Sequence, residues 1–61
     1  MTKKYKIKTK SGELIGETDS YFVVKYLVND YEILCMNYGY IPEEVFVFEF
    51  DSKENKYKVK W

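Results

Sequence analysis

Residues 21–36 of this 61-residue chain read Tyr-Phe-Val-Val-Lys-Tyr-Leu-Val-Asn-Asp-Tyr-Glu-Ile-Leu-Cys-Met, and the fold depends on what this stretch forms. Residues 21–28 are almost all β-branched or aromatic, and such residues favour strands. Asn29 and Asp30 can supply a tight turn before the second apolar run. The stretch therefore predicts a hairpin in the middle of the chain.

The same stretch also fits a helix. Asp19 or Ser20 could serve as the N-cap, and Gly39 stands just past the C-terminal end. Such a helix would consist of poor helix formers, with Asn29 and Asp30 at its middle. The residues of its apolar stripe would be Phe22, Val23, Tyr26, Leu27, Tyr31, Leu34 and Tyr38. We therefore keep a ββαββ sandwich, with a helix at about 20–38, as the alternative to the hairpin.

Lysine occupies every second position at both ends of the chain. These lysines are Lys4, Lys6, Lys8 and Lys10 near the start, and Lys56, Lys58 and Lys60 near the finish. The residues between them are aromatic or β-branched. A period of two is typical of a strand with one face on a core and the other in water. Both terminal segments are therefore predicted to be strands.

The turns next to these segments predict how the strands pair. A two-residue loop at Ser11-Gly12 places Lys6 opposite Glu17 and Lys8 opposite Ile15. Opposite charges that face each other across a strand pair favour this register.

At the other end of the chain, a loop at residues 52–55 places Glu49 opposite Lys58. The same register gathers one aromatic face. Its members would be Phe46, Phe48, Phe50, Tyr57, Val59 and Trp61.

These elements together predict an all-β domain over residues 1–61, a five- or six-stranded antiparallel meander or barrel. The step Tyr40-Ile41-Pro42-Glu43-Glu44-Val45 leads into the last long strand. In this respect the chain resembles small barrels of the Src-homology-three and Sm-like type, in which an Ile-Pro-x-x-Val step introduces a late strand. The resemblance implies a compact roll whose loops or open edge bind peptides, nucleic acids or sister subunits.

Composition excludes several kinds of site. Cys35 is the single cysteine and histidine is absent, so neither an intrachain disulfide nor an ordinary zinc site can form. Cys35 lies in an apolar run, which predicts a buried structural thiol. Without imidazole or a phosphate-binding glycine loop, we expect no enzymatic activity, no cofactor and no metal. No apolar run suits a membrane span, and a cytoplasmic location is expected.

Four lysines of the terminal strands are candidates for nucleic-acid binding: Lys6, Lys8, Lys58 and Lys60. Alternating lysines can follow a phosphate backbone. However, lysines balance acidic residues across the chain, and the registers place carboxylates between these four. Strand alternation also sets the neighbouring aromatic residues on the opposite face. A solvated ladder of opposite charges is the competing interpretation.

The irregular segment before the last hairpin is a second candidate site. Tyr38, Tyr40 and Ile41 surround a glycine and a proline, and tyrosine is enriched in binding hot spots. Tyr21 would join them, because the proposed middle hairpin places it opposite Tyr38. The competing interpretation is that these side chains fold back and close the end of the barrel.

The sequence therefore predicts a small non-enzymatic protein that docks on a protein partner, with nucleic-acid binding as the alternative. Apolar residues on both faces of some strands also suggest homo-oligomers. Arginine, alanine, glutamine and histidine are absent, which suggests an AT-rich genome. A phage or mobile-element inhibitor of a host protein would suit a chain of this size and composition.

Overall fold

A computed structural model describes residues 2–61 of the chain. Within these residues the elements are β1 (Tyr5–Thr9), β2 (Leu14–Thr18), α1 (Tyr21–Asn37), β3 (Val45–Asp51) and β4 (Lys56–Val59). None of the described residues belongs to a helix that is both long enough and apolar enough to cross a bilayer.

The four strands form an antiparallel sheet in the order β2-β1-β3-β4. Both β2 and β3 run antiparallel to β1, which lies between them. They therefore run parallel to each other, and α1 carries the chain across β1 from an edge strand to a central one. The edge strands β2 and β4 do not pair with each other, so the sheet stays open.

The all-β prediction is wrong, because residues 21–37 form a helix and the strands do not close into a barrel. The molecule is a small antiparallel sheet with one helix in its described part, in the order of the ββαββ alternative. The physical reason lies in packing. Val24, Leu27 and Val28 repeat at helical spacing and pack on the core. Burial of such a stripe outweighs weak intrinsic helix propensity.

The core lies between α1 and one face of the sheet. Its buried residues are Tyr5, Ile7, Thr9, Val24 and Val47, with Ile15, Leu27, Val28 and Val45 packed around them. Gly16 on β2 allows close contact with the helix, because a Cβ at this position would lie 3.1 Å from Leu27 Cδ1. A larger side chain at Gly16 would displace α1 from the edge of the sheet.

The predicted strand registers are largely confirmed. Lys6 pairs with Glu17, and Glu49 pairs with Lys58. The register shifts between Ile7 and Lys8, so Lys8 pairs with Leu14 and the predicted Lys8–Ile15 pair is wrong. This irregularity is a β-bulge, and a single extra residue of this kind is not encoded by simple alternation.

Candidate functional site

Three of the residues predicted to bind a partner lie in the segment after α1, and their side chains are strongly exposed. Tyr38 is 71% exposed, Tyr40 70% and Ile41 92%. Leu34, in the last turns of α1, is also exposed. We call these four residues the loop patch. Their exposure contradicts the interpretation in which the loop folds back to close the end of the domain. Whether they bind a partner stays a prediction.

The end of the helix fixes the shape of the loop patch. The backbone N–H of Tyr40 donates to the carbonyl of Cys35 (2.8 Å), and that of Gly39 donates to the carbonyl of Met36 (3.1 Å). This pair of bonds is the Schellman motif, and Gly39 provides the positive φ of 77° that the motif requires. Farther along, the backbone N–H of Glu43 donates to Tyr31 Oη (3.0 Å). These bonds tie both ends of the loop to the helix.

A shallow cleft of about 360 Å³ lies within the loop patch. Besides the four patch residues, it is lined by Glu13, Tyr31, Cys35 and Glu43. Most of the lining side chains are apolar, and the carboxylates of Glu13 and Glu43 stand on the rim. The last turn of α1 contains no basic residue, so the negative end of the helix dipole adds to the acidic character of this region. The cleft therefore suits an apolar group that is accompanied by positive charge.

Tyr31 keeps its proton at neutral pH. The backbone N–H of Glu43 favours the phenolate, but partial burial and the nearby Cys35 and Glu43 side chains outweigh it and raise the pKa of Tyr31. Cys35 is half-buried beside it, not fully buried as predicted. Within residues 2–61, no three histidine, cysteine or acidic side chains cluster so that they could hold a metal ion.

Tyr21 does not belong to the loop patch. It begins α1, whereas Tyr38 caps its other end; a rise of 1.5 Å per residue separates the two by about 25 Å. The Tyr21 ring packs against Tyr5 with centroids 5.5 Å apart, and its hydroxyl accepts a hydrogen bond from Trp61 Nε1 (2.9 Å). The predicted Tyr21–Tyr38 pairing is wrong because it required the hairpin. The bond to Trp61 also withdraws that indole from the predicted aromatic face.

The four candidate lysines are divided between the two faces of the sheet. Lys58 pairs with Glu49 across the strands, on the face that also carries Ile7 and Val47. Its Nζ lies 2.7 Å from Glu54 and 3.1 Å from Asp51, and these hydrogen bonds raise the pKa of Lys58. Lys60 Nζ lies 3.3 Å from Glu49, which likewise raises the pKa of Lys60. These two lysines are neutralised locally.

Lys6 and Lys8 lie on the opposite face, which α1 does not cover. Register places them beside Phe48 and Phe46 of β3. We call this surface the open sheet face; its residues are Lys6, Lys8, Phe46, Phe48, Phe50, Tyr57 and Val59. Lys6 Nζ lies 4.5 Å from the centroid of the Tyr57 ring, and Lys8 Nζ 5.9 Å from that of Phe48. The prediction that alternation separates lysines from aromatics holds within one strand but fails between neighbouring strands.

Sequence reasoning missed a third apolar surface, on the outer side of α1. We call it the outer stripe; its residues are Phe22, Tyr26, Ile33 and Met36, all exposed. Their spacing of four, seven and three residues is a helical signal. That signal was hidden because the helical stripe considered in the sequence mixed inner with outer positions.

The chain was compared with models of protein families, with curated proteins and with solved structures, and none of the three comparisons found a match. The family-level resemblance to small barrels stays a prediction without support from them. The open sheet with its covering helix already differs from the expected closed roll.

Proposed function

We propose that this protein is a non-enzymatic interaction protein that docks on another protein through the loop patch. The observation that carries the proposal is the exposure of Tyr38, Tyr40 and Ile41 around a preformed cleft. Exposed tyrosine on a backbone held by hydrogen bonds offers contact area at a low entropic cost. A cytoplasmic role as a phage or mobile-element inhibitor of a host protein remains part of this proposal.

The chemistry of the cleft specifies the partner segment. An apolar side chain of the partner would enter between Leu34, Tyr40 and Ile41. Lysine or arginine residues beside it would face Glu13 and Glu43 on the rim. Charge complementarity of this kind mainly speeds association and selects among partners. An acidic segment would be repelled by both the rim and the helix end.

The test is affinity capture from the native cell, with partners identified by mass spectrometry. Tyr40→Ala is expected to lose the partner, because a truncated hot-spot tyrosine typically costs about 2 kcal/mol of binding, roughly thirtyfold in affinity. Tyr26→Ala is the matched control, since Tyr26 has the same 70% exposure and lies outside the loop patch. Equal loss in both variants, or no loss in Tyr40→Ala, would contradict the proposal.

A second candidate function is binding of single-stranded nucleic acid on the open sheet face. The supporting observation is the placement of Lys6 and Lys8 over aromatic rings, around a depression of about 240 Å³ that Phe48 and Tyr57 also line. Bases stack on such rings while ammonium groups meet phosphates. Against it stands Glu17, which pairs with Lys6, and a net charge of zero.

Fluorescence anisotropy with random single-stranded DNA and RNA tests this candidate. Binding through this face should fall steeply between about 50 and 200 mM salt. It should be lost on changing Lys6 and Lys8 to Ser, and kept when Lys58 and Lys60 are changed instead. Equal effects of the two pairs would indicate unspecific attraction to lysine and exclude the open sheet face as the site.

A further inference from the structure

The outer stripe of α1 is an apolar surface that the described fold leaves uncovered. Phe22 is 83% exposed, and Tyr26 and Met36 are each 70% exposed. On the inner side of the same helix, Val24 is completely buried. A helix that is apolar on two opposite sides is typical of one packed between two layers. The sheet provides the first layer.

We propose that the second layer is the outer stripe of a second copy of this chain, packed antiparallel. The stripe is nearly symmetric about its own centre. Phe22 and Met36 are each seven residues from Asn29, and Tyr26 and Ile33 stand three and four residues from it. Antiparallel pairing about Asn29 therefore sets Phe22 against Met36 of the second copy, and Tyr26 against Ile33 of the second copy. Each aromatic ring meets an aliphatic side chain.

The charges beside the stripe are complementary in the antiparallel orientation. Lys25 and Glu32 are two turns apart and so lie on the same flank of the helix. Neither has an ion-pair partner among residues 2–61. In the antiparallel pair, Lys25 approaches Glu32 of the second copy, twice by symmetry. In a parallel pair each flank would instead face the opposite flank of the second copy, so Lys25 would approach Asp30 of the second copy and Glu32 would have no cation beside it.

One charge opposes the pairing. Asp30 lies on the other flank near the twofold axis, where it approaches its own counterpart. Asp30 is exposed, so water screens this repulsion and the cost is modest. The arrangement therefore predicts that Asp30→Asn tightens the dimer, whereas the same change would weaken a parallel pair, in which Asp30 approaches Lys25 of the second copy.

The area available sets the strength of the association. Aromatic side chains bury about 150–250 Å² each, so two copies of the stripe with their flanks would bury on the order of 1,000 Å² in total. Specific interfaces begin at about this size, and those below about 1,200 Å² are weak. We therefore expect a dimer whose population depends on concentration. The inference goes beyond the proposed function, since Tyr31 and Cys35 of the cleft lie on the opposite side of α1.

Sedimentation velocity over a range from micromolar to millimolar protein tests the inference. The wild-type chain should shift from monomer to dimer, and Tyr26→Ala should weaken the dimer at least tenfold. Tyr40 is the same residue type as Tyr26 and equally exposed, but it lies outside the stripe, so Tyr40→Ala should leave the dimer unchanged. Lys25→Glu and Glu32→Lys should each weaken it, and the double exchange should restore it. Lys53→Glu changes the net charge by the same amount as Lys25→Glu at an exposed position outside α1, and it is the control for net charge.

Several results would overturn the inference. A chain that stays monomeric at millimolar concentration excludes self-pairing. Sedimentation of that monomer with phosphatidylcholine vesicles would then assign the stripe to lipid. A dimer that is insensitive to Tyr26→Ala uses another surface, such as the open sheet face. A dimer in which the double exchange restores nothing is not antiparallel. Folding of each variant is verified by circular dichroism.

Discussion

The two faces of the sheet shield their apolar side chains from water in different ways. Ile7 and Val47 of the covered face are completely buried beneath Val24 of α1. The open sheet face instead carries larger rings that remain half-buried. Phe50 and Tyr57 pack edge to face with centroids 5.2 Å apart, and the Lys6 ammonium lies over Tyr57. One face is closed by a helix, and the other is shielded by its own side chains.

This difference shows where the stability of such a small domain resides. A completely buried aliphatic side chain contributes through both transfer from water and tight packing. A half-buried ring contributes only part of its area and leaves room for neighbours to adjust. We therefore expect the covered face to tolerate little change in shape. The open sheet face should tolerate many substitutions, which leaves it free to vary with function.

The largest expected effect is on the covered face. Ile7→Ala should lower the free energy of unfolding by about 2–5 kcal/mol, because it removes buried methyl groups and leaves a cavity beneath α1. Urea titration followed by circular dichroism measures this loss. Val59→Ala, at an exposed position on the open sheet face, is the control and should change stability by less than about 0.5 kcal/mol. Similar losses in the two variants would remove the distinction between the faces.

The contact between α1 and the edge strand β2 gives a second test of how little change in shape the covered face tolerates. Gly16→Val should destabilise the fold by about 1–3 kcal/mol, because the added atoms meet Leu27 where a Cβ alone would lie at 3.1 Å. Leu27→Ala in the same chain should recover part of that loss, and the double-mutant cycle measures the coupling. Additive effects would show that the cost of Gly16→Val does not come from its contact with Leu27.

On the open sheet face, we expect a smaller effect from the lysine that shields the rings. Lys6→Ser should destabilise by about 0.5–1 kcal/mol through loss of the cation–π contact and of cover over Tyr57. Lys6→Met keeps the stem without the charge and should recover part of this loss. Lys53→Ser, in the exposed last turn, should change nothing. If Lys6→Met is as damaging as Lys6→Ser, the charge alone stabilises the face.

Local patterns predicted the strands of this fold but not its middle. Alternation at Lys6 and Lys58 identified two hairpins, and opposite charges fixed most of their register. The helix was underestimated because the competing hairpin matched the intrinsic propensity of residues 21–28. The packing that decided for the helix places Leu27 against Gly16 of β2, and the intrinsic propensity of residues 21–28 carries no information about that contact.

The candidate surfaces also differ in how far the sequence could predict them. Exposure of Tyr40 and Ile41 could be anticipated, since a glycine and a proline next to them indicate an irregular loop. The meeting of Lys6 with Tyr57 could not, because β1 and β4 are the first and last strands and share a face only through β3. Strand order is a property of the whole topology, and alternation within one strand says nothing about it.

The smallest expected effect concerns acid stability at the β3–β4 turn. Hydrogen bonds from Lys58 and from the backbone N–H groups of Lys53 and Glu54 lower the pKa of Asp51 below its usual 3.8. A carboxyl whose pKa is lower in the folded state stabilises above its unfolded pKa, and this contribution disappears as pH falls through the folded pKa. Wild-type stability should therefore decline below about pH 4. Asp51→Asn should be less stable at neutral pH and should lose less stability on acidification, measured by urea titration at about pH 6 and about pH 2.

That variant should still lose some stability in acid, because the pKa of Asp19 is also lowered, chiefly by the backbone N–H of Lys4. Asp30→Asn, on the exposed side of α1, is the control and should keep the full decline in dilute solution. If Asp51→Asn and wild type decline in parallel, the turn carboxylate does not contribute to the acid sensitivity of the fold.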